Sequence, residues 1–363
     1  MLAAGLAILL AAVPGLESRL PGAPLQVARV AWSRPLVGAE LGAWKTIEPG
    51  GPSLDPASGL VVVGTRDGWL HAFRPDGTRA WEVEGTGSFG APPAISGGVV
   101  YAGTSGGILY AVELASGKVR WRYDAKQELG TRPVVADGLV LVMTLDDTLV
   151  AVDAGTGAWR WHHRRDRREG FSIRGAADPI VRGSTAYAAW SDGFVAALEV
   201  ASGRPRWERK VAPEGKYLDV DSLALGGDRL FAAAYSGAVV ALDPETGKTL
   251  WQAAVPDASR LASVAGEVVV VTTSAVEALS PDAGTLLWKT AIREGSPAAA
   301  PVSAGRWLAV PAGAGGLIFL DPASGAIARV LDGGQGIDGT LAFAAGRGYV
   351  LGNAGTLFAL DFP

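Results

Sequence analysis

Short apolar runs separated by small, turn-forming residues recur along this chain at intervals of about forty residues. From Val99 to Trp121 the order is an apolar run, a small-residue turn, a second apolar run, a Ser-Gly turn and a strand closing on tryptophan: VVYAGTSGGILYAVELASGKVRW. The same order returns in LVLVMTLDDTLVAVDAGTGAWRW (139–161) and RLFAAAYSGAVVALDPETGKTLW (229–251). Related copies span Leu60 to Trp81, Thr185 to Trp207, Glu267 to Trp288, Trp307 to Ala328 and Tyr349 to Asp361. A further apolar stretch such as RPVVAD or DPIVRG precedes most copies, so each unit is expected to hold four short strands, and there are eight units.

The closing tryptophans are Trp32, Trp81, Trp121, Trp161, Trp207, Trp251 and Trp288, in steps of 49, 40, 40, 46, 44 and 37. Four-stranded units of this length build radial β-propellers, so the expected fold is all-β, an eight-bladed β-propeller. The last unit stops at LFALDFP with three strands, while VARVAWSRPL near the N-terminus belongs to no complete unit. The N-terminal strand is therefore expected to complete the last blade, leaving no unpaired sheet edge at the closure. One tryptophan per outer strand reads as a seal between blades, each burying roughly 200 Å². Asp153, Asp243 and Asp321 precede Gly-containing turns and read as side-chain caps of those turns, not as a catalytic set.

Composition agrees with a tightly turned β protein: 363 residues with 50 glycines, 12 tryptophans, 48% apolar and 19% charged residues. A net charge of -4 gives no reason to expect a nucleic-acid partner. Cysteine is absent, which removes disulfides, thiolate metal sites and cysteine nucleophiles. MLAAGLAILLAAV is an apolar run of signal h-region length without a preceding basic residue, the first being Arg19. Residues 1–25 read as a signal-like or anchor segment with a linker, and 26–363 as the propeller. His162 and His163 are neighbours that would face opposite sides of a strand, and His71 is isolated. No G-x-S-x-G, H-E-x-x-H or P-loop occurs, so no catalytic, cofactor-binding or metal-binding residue is assigned.

The repeats ALDPETGKTLW, AVDAGTGAWRW and AVELASGKVRW resemble quinoprotein-type propeller repeats. Two function classes share them. One is the pyrroloquinoline-quinone dehydrogenases, whose adjacent cysteines and Glu-Asn-Asp calcium site have no counterpart here, since cysteine is absent and Asn353 is the single asparagine. The other is the BamB family of outer-membrane β-barrel assembly, whose members are adaptors. The steps of 46 and 44 residues place extra length in the connections after Trp161 and Trp207, which flank one blade and emerge on one face. In these connections stand Phe171-Ser172-Ile173-Arg174-Gly175 and Asp219-Val220-Asp221, and the resemblance to BamB is most specific there. It implies that Phe171, Ile173, Arg174, Asp219 and Asp221 dock onto a periplasmic POTRA domain of a BamA-like protein.

The residue chemistry fits an interaction hot spot. Phe171 and Ile173, two apart in an extended segment, would present two apolar anchors, each forfeiting on the order of 1.5–3 kcal/mol when uncovered. Arg174 offers a planar fork to a carboxylate, and Asp219 and Asp221 would face one way as acceptors. The bland alternative folds Phe171 and Ile173 under their own loop and pairs Arg174 with Asp219 or Asp221. Calcium at these aspartates would lack the usual six to eight oxygens. The resemblance thus implies a non-enzymatic scaffold in the periplasm, at the inner face of the outer membrane, with unfolded barrel proteins as further clients. The chain departs from the family in lacking the cysteine that carries its lipid anchor. The alternative function is a periplasmic propeller binding a small molecule or another protein, with a quinone-dependent oxidoreductase behind it.

Overall fold

The computed structural model describes residues 27–38, 47–48, 50–165, 177–213, 218–293 and 299–363. Their strands form eight four-stranded antiparallel sheets. Blade 4 is typical, with strands Ile180–Arg182, Thr185–Ala189, Phe194–Glu199 and Pro205–Lys210 from inside to outside. The inner strands of the eight blades begin at Pro52, Ala94, Val134, Ile180, Val220, Arg260, Val302 and Ala342. The expected closure is present: Arg29–Pro35 pairs antiparallel with Thr356–Asp361 as the outer strand of blade 8.

Burial explains why the strands read as they do. The second and third strands of each blade are covered on both faces by neighbouring blades, so they are continuous apolar runs such as Leu139–Met143, buried at every position. The outer strands alternate, as in Val119–Asp124, because only one of their faces meets the next blade. The core is correspondingly divided into eight apolar clusters, one at each seam between adjacent blades.

Each closing tryptophan is the seam's fixed point. The indole N–H of Trp81 donates to Leu114 O of the next blade at 2.7 Å, and Trp121, Trp161, Trp207, Trp251 and Trp288 repeat the bond one blade further on each time. Trp32 of blade 8 closes the series on Pro75 O of blade 1, at 2.9 Å. Blade 7 carries Arg329 at this position, with its Nη1 donating to Ala28 O instead, and there is a physical reason. The turn that would receive the tryptophan joins a third to an outer strand, and blade 8 has no such turn because its outer strand comes from the other end of the chain.

The aspartate caps also form. Asp153 Oδ1 accepts from the amides of Gly155 and Thr156 and from Thr156 Oγ1, and Asp243 and Asp321 cap their turns in the same way. Hydrogen bonds from Arg160 and then Thr156 hold the Asp153 carboxyl down at about 2. In every blade the pairing of third and outer strands is broken by a bulge at the residue before the tryptophan position, for example Arg160 and Leu250. Such irregularities blunt an exposed edge against pairing with another chain.

Candidate docking face beside blade 4

The turn between the second and third strands of blade 4, Trp190-Ser191-Asp192-Gly193, departs from the repeat. Blades 1, 2, 3 and 6 begin this turn with a buried threonine, Thr65, Thr104, Thr144 and Thr272. Blade 4 has Trp190, 1% exposed, whose indole N–H reaches back to Asp147 O of blade 3 at 3.1 Å. Ser191 Oγ donates to the Asp147 carboxylate beside it. This turn is thereby locked to blade 3.

The connection that enters blade 4 starts against this turn. Arg165 Nε donates to Asp192 Oδ2 at 2.9 Å, its Nη1 meets Glu208 of the outer strand, and the guanidinium lies 3.8 Å from the Phe194 ring centre. Both hydrogen bonds and both carboxylate charges favour the charged guanidinium, which raises the Arg165 pKa despite partial burial. His163, two residues earlier, stacks edge-on against Trp190 with ring centres 5.4 Å apart and comes within 3.5 Å of Glu208. Burial pushes its pKa down, with Glu208 opposing.

The connection that leaves blade 4 is held on the other side of the same turn. Val211 and Ala212 both donate their amides to Gly193 O, at 2.8 and 3.2 Å. Gly193 has φ +88°, and a Cβ there would lie 2.7 Å from that of Ala212, so glycine alone lets the strands pass this closely. Val220 N then donates to Trp190 O at 3.5 Å. Both long connections are thus tied to one turn, on one face, as their lengths predict.

The predicted docking residues divide into two groups. Phe171, Ile173 and Arg174 lie outside the described residues. Asp219 and Asp221 are described, and their setting differs from an open acidic loop: they are 2% and 3% exposed. The expectation that they face one way as displayed acceptors is corrected by the strand start. The inner strand of blade 5 runs from Val220, and Asp221 is the extra residue of a bulge between Val220 and Ser222, which breaks two-residue alternation. Asp219 O accepts from Tyr235 N at 3.0 Å, and Asp221 O accepts from Arg260 Nη1 at 3.0 Å.

Sequence reasoning missed the Arg165, Asp192, Glu208 and Trp190 cluster. The signal available was Trp190, where the repeat has threonine. Among the described residues no three His, Asp or Glu side chains are grouped to hold a metal, and no helix is long and apolar enough to cross a membrane.

An eight-bladed ring of this repeat, with its connections gathered on one face, defines the quinoprotein-type propeller class. A family model described as outer membrane protein assembly factor BamB matches residues 66–273 and 272–362. The chain belongs to that family. A curated BamB of Pseudomonas aeruginosa is 34% identical over 110 residues, which are 28% of this chain and 29% of that protein. The match therefore spans less than a third of that relative's length. The crystal structure of BamB from Moraxella catarrhalis superposes with a TM-score of 0.79 at 22% identity, covering 93% of this chain and 100% of that one. The quinohemoprotein alcohol dehydrogenase of Comamonas testosteroni has the same fold, with a TM-score of 0.73 at 15% identity over 92% of this chain and 76% of that enzyme.

Proposed function

We propose that this protein is a non-enzymatic scaffold of outer-membrane protein assembly, working in the periplasm at the inner face of the outer membrane. It docks onto a POTRA domain of a BamA-like protein through Phe171, Ile173 and Arg174, beside Asp219 and Asp221. The observation that supports this most is the turn Trp190–Gly193, to which both connections are tied. A loop whose ends are fixed loses less conformational freedom when a partner orders it, and binding gains accordingly. In this reading Phe171 and Ile173 are the apolar anchors and Arg174 is the charged fork. Membership of the BamB family supports the same role.

Co-purification from solubilised membranes tests the reading. Arg174→Glu and Phe171→Ala are expected to abolish recovery of a BamA-like partner while leaving the melting temperature within about 2 °C, as the docking role proposed for both residues requires. Recovery undiminished in both variants refutes the docking assignment. A quinone-dependent oxidoreductase predicts instead a bound chromophore or turnover with added quinone. For residues 1–25 the proposal is an export or anchor segment, and mass spectrometry of the exported protein's N-terminus decides between them.

A further inference from the structure

The inner strand of every blade is bordered by one equivalent position at the propeller axis. In blades 3, 4 and 6 it holds Arg132, Asp178 and Arg260; in blade 5 it holds Ser222, with the bulge residue Asp221 just before it, and all five line an axial cavity of about 830 Å³. In blades 7, 8, 1 and 2 it holds Ala300, Thr340, Gly51 and Pro92. Gly51 packs closely there: a Cβ on it would lie 2.9 Å from Thr340 Cγ2 and 3.3 Å from Pro92 Cγ. One side of the cavity wall is therefore charged, and Pro92, Ala300 and Thr340 line the uncharged side. Apolar residues, among them Ala94, Ile95, Val134 and Ile180, supply the rest of the wall.

The four charges run +, −, −, + on consecutive blades, so the arc is neutral. Its inner members are not used up on each other. Arg132 N donates to Asp178 Oδ1 at 2.8 Å, but this is the backbone amide. The Arg132 guanidinium takes part in no ion pair or hydrogen bond among the described residues, and both Arg132 and Asp178 are exposed to the cavity. Arg260, by contrast, spends its Nη1 on the carbonyl oxygens of Asp221 and Ser259. Desolvation by the surrounding ring raises the Asp178 pKa, against the Arg132 amide and the Arg132 and Arg260 charges. A cation and an anion thus stand on adjacent blades, unpaired with each other, in an apolar-walled cavity within the size range of small-ligand sites.

We propose that the axial cavity binds a small peptide-like zwitterion, whose carboxylate meets Arg132 and whose ammonium meets Asp178 while its side chains lie against the apolar wall. A pure anion is disfavoured by Asp178 and a pure cation by Arg132. A molecule carrying both signs satisfies both groups. The two groups the proposal turns on, Arg132 and Asp178, are not among the proposed docking residues, so the variants that test each reading differ.

Calorimetric titration of the whole protein with leucylleucine tests this, alongside N-acetylleucine, which keeps only the carboxylate, and N-acetylleucine amide, which keeps neither charge. Leucylleucine is expected to bind, with both capped compounds weaker by about tenfold or more, the worth of a charged hydrogen bond. Arg132→Gln and Asp178→Asn should each weaken leucylleucine by about tenfold to a hundredfold; the asparagine oxygen still accepts from Arg132 N, so the backbone contact survives. No heat up to ~10 mM leucylleucine overturns the proposal. So does equal binding of N-acetylleucine, which leaves Asp178 without a role, or unchanged affinity in both variants. The comparison of ligands on the unmodified protein stands even if a variant fails to fold.

Discussion

At seven seams a tryptophan ring occupies the place where a glycine's side chain would be. Gly247 is representative: its φ is +68°, a Cβ would meet Trp207 Cδ2 at 2.6 Å, and its carbonyl accepts from Arg209 Nε at 2.9 Å. Gly138 has a similar φ of +73° with nothing within 4 Å. The pair separates backbone strain from steric exclusion. Gly138→Ala should cost about 1–2 kcal/mol, from the left-handed conformation alone. Gly247→Ala adds the displaced ring and should cost about 2–5 kcal/mol in all, read from urea unfolding midpoints. Equal losses would mean that the ring yields freely and that the seam is not a close-packed joint. Two histidines give the residue scale a pH dependence. Burial, outweighing Glu82 and Glu208, lowers the pKa of His71 and His163 below 6.5 in the folded protein. Between that lowered value and 6.5 the unfolded chain binds more protons than the native one, so their contribution to stability is complete above 6.5 and falls as the pH is lowered. Glu48 and Glu267, raised by burial, act in the opposite sense, so the test is a difference. The double variant His71→Phe with His163→Phe should lose less stability than the parent between pH 7.5 and 5.5, measured by the urea midpoint.

Among the elements, the outer strand Arg29–Pro35 matters most, because it alone is far in sequence from the strand it pairs with. It brings Trp32 onto Pro75 O and Arg34 Nε onto Gly77 O at 2.9 Å, joining blade 8 to blade 1. Removing residues 1–35 deletes that seal and bares the Thr356–Asp361 edge. The expected cost is at least the ~3–5 kcal/mol of a deleted buried tryptophan, together with self-association through the open edge. Light scattering and thermal melting read both effects, and a monomer of unchanged stability would show that the closure is dispensable. This closure was legible in the sequence, since VARVAWSRPL had a strand and a tryptophan but no blade of its own. The repeat made the tryptophan seals and the Asp153, Asp243 and Asp321 caps legible for the same reason. The glycine beneath each ring was not, because it belongs to the neighbouring blade and only the inter-blade distance reveals it. Nor was the burial of Asp219 and Asp221, which follows from a bulge in which Asp221 interrupts alternation. The axial arc of Arg132, Asp178, Asp221 and Arg260 was hidden similarly, being spread over four units about forty residues apart.

In the whole molecule, the closed ring works as a rigid mount. Seven of its eight seams repeat one joint, and blade 4 carries a local elaboration of the repeat, where Trp190 replaces threonine and Arg165 is clamped between Asp192 and Glu208. The connection that enters blade 4, residues 165–179, is the longest between consecutive blades 1 to 8. A chain built only to close on itself would have no need of this local elaboration, whereas a scaffold needs its contact loop to leave the ring at a fixed place. The central claim is therefore that the segment carrying Phe171, Ile173 and Arg174 is a docking element presented by a ring that stays intact without it. The most direct measurement is the equilibrium affinity of purified Arg174→Glu protein for the POTRA domains of a BamA-like protein, with melting recorded in parallel. The account predicts a loss of about a hundredfold or more, as at an interface hot spot, with melting unchanged within about 2 °C. Parental affinity in a normally folded variant would contradict it.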